Sequence, residues 1–258
     1  MTNDFGILSY GAYLPRRRLQ RKSIAAANIW FSPGLRGLAR GERAMANWDE
    51  DTVTMAVEAA RDCLAGLAPV GLDQLILAST THPYDDRQNA AIVANAVHLG
   101  SALRVLDVTG SQRAGTSALM SALGAGATSL VAAGEHRLAK AASPQEMHYG
   151  DGAAALLLGT GAPIARLIGS HSETVDFVHQ FRSSERVHDY AWEERWIRDE
   201  GYMKIVPAAL AALFKASGVD PATITHFCIP CTLSRVVPGI AKRAGIGEAA
   251  VRDNLAAV

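Results

Sequence analysis

Segment 105–119 reads Val-Leu-Asp-Val-Thr-Gly-Ser-Gln-Arg-Ala-Gly-Thr-Ser-Ala-Leu: an apolar strand, a glycine turn and a helix start. A turn of this kind lifts one side chain, here Gln112, to a helix N-terminus, where free N–H groups and the helix dipole favour anionic intermediates. A carboxamide at that place can donate and accept hydrogen bonds but is no nucleophile. Cys228 and Cys231 form a Cys-x-x-Cys with Pro230 inside it. One such pair falls short of the four ligands a structural zinc wants. The expectation is therefore a buried Cys228 and a pocket-facing Cys231, with no metal site. A relocated nucleophile at Cys231 is the competing reading. Cys63 sits among apolar helix residues and is expected in the core.

The histidines give weaker signals. His82 precedes Pro83-Tyr84 at a strand end, near Thr80, and suits a pocket residue or an imidazole bonded to backbone equally well. His148, before Tyr149-Gly150-Asp151, is a candidate of the same type. His171, His179, His188 and His226 occur singly, without metal-ligand spacing. Gly150-Asp151-Gly152 reads as a tight turn that lets two backbones approach, and is too short for a phosphate loop.

The elements that must position these residues alternate between strands and helices, which argues for an α/β layered sheet. Strands are expected near 5–15, 72–78, 104–108, 129–133, 153–158 and 225–229. Helices are expected near 49–67, 89–99, 116–127, 202–217 and 232–244, several of them ending at glycines. Residues 170–200, rich in His, Arg, Glu, Trp and Tyr, read as a polar insertion, with 192–199 helical. Arg16-Arg17-Arg18 with Arg21-Lys22 is expected to be a solvated loop, or else a site for an anionic cofactor tail.

The chain has 258 residues, 49% of them hydrophobic and 19% charged, with 25 basic against 25 acidic side chains. That is ample for a core, and the balance gives no general attraction to nucleic acid or acidic membranes. Three cysteines are too few for a disulfide framework. No run approaches a membrane span and no secretory pattern opens the chain, so a cytoplasmic location is expected.

Taken in order, several stretches resemble the thiolase superfamily, nearest to type III ketoacyl-carrier-protein synthases and archaeal-type hydroxymethylglutaryl-CoA synthases. Segment 6–15 is similar to the family's opening strand and segment 49–60 to its first long helix. Ser79-Thr80-Thr81-His82-Pro83-Tyr84 resembles the loop carrying the synthase's acid/base glutamate, and Gly150-Asp151-Gly152-Ala153-Ala154 a shared glycine motif. Phe227-Cys228-Ile229-Pro230-Cys231 with segment 241–246 resembles the strand and helix around the catalytic histidine. The resemblance implies a thiolase-like αβαβα layered fold with a truncated second half, divided into residues 1–160 and 161–258.

In that family a cysteine thiolate takes an acyl group from a thioester, and a histidine assists condensation. Here the nucleophile position holds Gln112, the histidine position Cys231 and the glutamate position Thr80. The asparagine position would lie beyond Val258. A glutamine at the nucleophile position marks decarboxylating, non-condensing domains in some relatives, but that role needs the histidine. The resemblance also places Lys204 beside the acyl-CoA tunnel and Gly152 near the ligand, although a solvated lysine and a plain turn account for both. It implies a thioester of CoA or acyl-carrier protein as the ligand, with no tightly bound cofactor. The expected assembly is a homodimer, or a heteromer with a complete thiolase-like subunit, with or without a small OB-fold partner. Three functions are compatible with this pattern: an accessory subunit, an active acyltransferase using Cys231, and a non-catalytic CoA-thioester-binding module.

Overall fold

The computed structural model describes residues 4–68, 71–233 and 235–252. They group into two compact units. One holds the described residues up to Arg137 together with Tyr149–Leu167; the other holds Leu138–His148 and the described residues from Ile168 onward.

The first unit is built on five strands: β1 (Phe5–Tyr13), β4 (Gln74–Ala78), β5 (Arg104–Val108), β6 (Ser129–Glu135) and β7 (Gly152–Thr160). Their order is β1-β7-β6-β4-β5. The three strands β6, β4 and β5 run parallel, whereas β7 is antiparallel to both β6 and β1. Period-2 alternation sends each strand's side chains to two different cores. Leu75, Leu77, Leu130 and Ala132 face α2 (Thr52–Leu64) and α3 (Asn89–Ala96), while Ile76, Ala78 and Val131 face α4 (Ala114–Ala125). Both faces are covered, which explains why these strands read as continuous apolar runs.

The small residues of α4 serve close packing: Ala114, Ala118 and Ala122 are all buried. Helix α2 starts at Asp51, whose carboxylate accepts the Thr54 N–H at 2.8 Å while the Thr54 hydroxyl accepts the Asp51 N–H at 2.7 Å. This reciprocal cap satisfies two end groups. Gly11 lets β1 lie directly on α2, because a Cβ there would overlap the backbone of Ala59 and Cys63.

One expectation is corrected here. The basic run is no loop. Arg17–Gln20 forms β2, paired antiparallel with β3 (Glu42–Met45), and Arg21 opens α1 (Arg21–Asn28). Arg21 is buried, and its guanidinium donates to the Arg40 carbonyl. A four-residue strand with two arginines carries too little apolar periodicity to be seen in the sequence.

The second unit packs α7 (Met203–Ser217) and α8 (Val236–Ala244) around Phe227, Ile240 and Ile246. It also holds α5 (Pro144–His148), the two-residue pair β8 (Gln180–Phe181) with β9 (Tyr190–Ala191), and the short α6 (Glu194–Trp196) with a π-turn over Ile197–Tyr202. Pro207 lies within α7 and cannot donate to the Met203 carbonyl. The Arg243 guanidinium donates to that carbonyl instead, which lets a proline stand in a helix. The expected strand 225–229 is reduced to a single bridge between Phe227 and Val251, and the last helix starts at Val236 rather than 232. Among the described residues no helix is long and apolar enough to cross a membrane.

Candidate active site

Parallel strands bring their C-terminal ends to one edge of a sheet, and ligands of α/β proteins bind there. At that edge β5 runs into the Gln112 turn, β4 into Ser79-Thr80-Thr81-His82, and β6 into Glu135-His136-Arg137. The antiparallel β7 begins there with Asp151-Gly152, and Gly152 pairs with Glu135.

Gln112 is exposed, in a turn entered through Gly110 at φ +88°, two residues before α4. Such a φ favours glycine, which is why this position punctuates the sequence. Thr80 is tied down: its N–H and hydroxyl donate to the two Glu135 oxygens at 2.8 and 2.9 Å, and the Arg137 guanidinium donates to its hydroxyl at 2.8 Å. Thr81 also donates to Glu135, at 3.1 Å, and accepts the His136 N–H at 2.9 Å. A carboxylate thus reaches the Thr80 loop from the neighbouring strand, although the loop itself contains none. His82 has both ring nitrogens sealed from solvent and unbonded among the described residues. The expected bond from His82 to backbone is therefore not made. Gly152 lets β7 pass the end of β1, since a Cβ would stand 3.0 Å from Leu14 Cδ2 and 3.2 Å from the Tyr13 carbonyl oxygen.

Asp151 is the most buried charge of the edge, with its side chain 1% exposed. Its Oδ2 accepts the Ala46 N–H at 2.8 Å, and its Oδ1 stands 3.2 Å from His136 Nδ1. The approach lies off the line of a straight hydrogen bond, so charge holds the pair as much as direction does. The Asp151 carboxylate raises the His136 pKa above the ordinary 6.5; burial and Arg43 act the other way. The sequence reading passed over Glu135, His136 and Arg137. The available signal was a Glu-His-Arg run directly after an apolar strand, but nothing local says that Asp151 lies opposite.

Cys231 and Lys204 belong to the second unit. The cysteine expectation is reversed at Cys228, which is exposed, while Cys231 is buried. Burial pushes the Cys231 thiol pKa up, and the phenol of Tyr202 lies against it. A raised pKa is the wrong direction for a nucleophilic thiolate. Lys204 pairs with Glu200 at 2.8 Å and is 70% exposed. It lines an open groove of about 1060 Å³ with Arg198, Arg235, Arg243 and the apolar Met203 and Leu233. Among the described residues no cluster of His, Cys, Asp or Glu is placed to hold a metal.

The chain is 29% identical over 237 residues to a hydroxymethylglutaryl-CoA synthase of Methanobrevibacter smithii, covering 86% of this chain and 67% of that one. It is 31% identical to the synthase of that name from Methanocella arvoryzae, covering 86% of this chain and 65% of that one. The described architecture superposes on 3-oxoacyl-(acyl carrier protein) synthase III from Pseudomonas aeruginosa with a TM-score of 0.80 at 20% identity, covering 98% and 84% of the two chains. The chain is a thiolase-superfamily protein, of the ketoacyl synthase III and hydroxymethylglutaryl-CoA synthase kind. A hydroxymethylglutaryl-CoA synthase complexed with CoA gives a TM-score of 0.76 at 20% identity, covering 93% of this chain and 62% of that one. No family model matches. The chain spans about two thirds of the length of the synthases it matches in sequence. The thiolase-like layered architecture expected from the motifs is the one found.

Proposed function

We propose that this thiolase-superfamily chain is an accessory subunit of a multicomponent acyl-CoA or acyl-carrier-protein acyltransferase. In this reading it holds a thioester, while a complete thiolase-like partner supplies the condensing nucleophile. The carrying observation is the elbow itself: Gly110 and the start of α4 are retained, and the side chain presented is the amide of Gln112. An amide cannot form an acyl-thioester intermediate. The buried, pKa-raised Cys231 argues against a relocated nucleophile.

A thioester ligand is supported by the relatives' names and by the basic groove around Lys204, which suits the phosphates of a CoA-type tail. A homodimer or heteromer is supported by β5, an outer strand of its sheet, whose Leu106 is 50% exposed. Exposed apolar edge strands invite pairing.

The test is acyl transfer from acetyl-CoA, measured for the lone chain and for the chain purified with the proteins encoded beside its gene. Carbon–carbon bond formation is expected only in the complex and unchanged by Gln112→Ala. Condensation by the lone chain that vanishes in Cys231→Ala overturns the reading. Native mass spectrometry of the purified complex reports whether a second subunit is present.

A further inference from the structure

His136 and Asp151 make an arrangement that the loss of the elbow nucleophile leaves intact. Asp151 lies at the entry of β7 and His136 just past the end of β6, so the sheet register holds them opposite each other, next to the Glu135–Gly152 pair. Asp151 is fixed by the Ala46 N–H, and its free oxygen stands 3.2 Å from Nδ1 of the imidazole. A buried carboxylate at Nδ1 stabilises the tautomer with the proton on that nitrogen, which leaves the lone pair on Nε2. Nε2 makes no hydrogen bond among the described residues, and the ring is 36% exposed. The imidazole is thus clamped at one nitrogen and open at the other, at the sheet edge where ligands bind. The charged groups facing it are Asp151 at the entry of β7, Arg43 from β3 and Asp51 at the start of α2, with Glu135 and Arg137 as chain neighbours.

We propose that His136, positioned by Asp151, is a general base that activates water for hydrolysis of a CoA-type thioester. This rests on the reading of the chain as a thioester-holding subunit. His136 Nε2 takes a proton from water as the water oxygen bonds to the thioester carbonyl carbon. The carbon–sulfur bond then breaks, and the thiolate leaves with the proton returned by His136. The products are a carboxylic acid and a free thiol, and no other reactant is needed. The step needs neither Gln112 nor Cys231.

The experiment follows free CoA released from acetyl-CoA and longer acyl-CoA thioesters by the full chain, with binding of the same thioesters measured in parallel by calorimetry. Release is expected, falling about 100-fold or more in His136→Ala, the usual scale of one general base. Added imidazole is expected to restore part of the His136→Ala rate, which a purely structural histidine would not allow. The base acts in its neutral form, so the rate rises with pH through the His136 pKa. Asp151 raises that pKa, so Asp151→Asn moves the limb to lower pH and lowers the plateau. Should Asp151→Asn fail to fold, His136→Gln with unchanged release or an unmoved pH profile overturns the proposal by itself. Binding without release also overturns it and leaves the thioester-holding reading standing. No binding overturns both.

Discussion

The Glu135 carboxylate accepts three hydrogen bonds from Thr80 and Thr81, so it organises the loop in which the sequence offered only a threonine. Replacing it by Gln turns one acceptor into a donor facing those groups. A loss of about 1–3 kcal/mol is expected in urea unfolding. The His136–Asp151 pair predicts a pH dependence of stability. Its folded pKa is raised, so its contribution is full below the unfolded imidazole value and is lost as pH rises through the folded value. The gap in urea midpoint between the native chain and His136→Gln should therefore shrink from about pH 5.5 to about pH 8.5. At the cysteines, a maleimide reagent should label the exposed Cys228 quickly and Cys63 and Cys231 only on unfolding. Fast labelling of Cys231 would contradict its burial. Gln112 was legible as a residue because the turn signal around it is local. Glu135, His136 and Asp151 were not, because their meaning lies in strand register.

At the scale of elements, α2 was readable almost to its ends, since its cap and its apolar period both lie within 16 residues. Asp51→Ala should cost about 1 kcal/mol in thermal or urea unfolding, with little change in the site. Gly11→Ala is expected to be far worse, because the added methyl meets α2 backbone rather than a movable side chain. Asp107 explains the single polar residue of β5: its oxygens accept the Asn89 and Ala90 N–H groups, each at 2.7 Å, and so cap α3 from another element. The β2–α1–β3 excursion was missed for the opposite reason. Arg17–Gln20 and Glu42–Met45 lie 21 residues apart, and only their pairing makes either a strand. The strand expected at 225–229 failed because apolar run and turn signals do not provide a partner, and only the Phe227–Val251 bridge exists there.

For the whole molecule, the two compact units carry separate parts of the candidate chemistry. The Gln112 turn, the Thr80 loop and the His136–Asp151 pair lie in the first, while Cys231 and the Lys204 groove lie in the second. Native mass spectrometry should report an assembly heavier than one 27.3 kDa chain, as the open β5 edge predicts. A monomer under all conditions would remove the subunit reading. By itself the sequence determined the layered α/β class, the main strands and helices, and the elbow occupied by an amide. Those rest on period, caps and turn residues, all of which act over a few neighbours. Only the tertiary structure decided that Glu135 serves the Thr80 loop and that Asp151 meets His136. It also decided which of the two Cys-x-x-Cys thiols is buried. Each of these depends on strand order, register or packing between residues distant in sequence, and no local pattern encodes which distant residue will arrive.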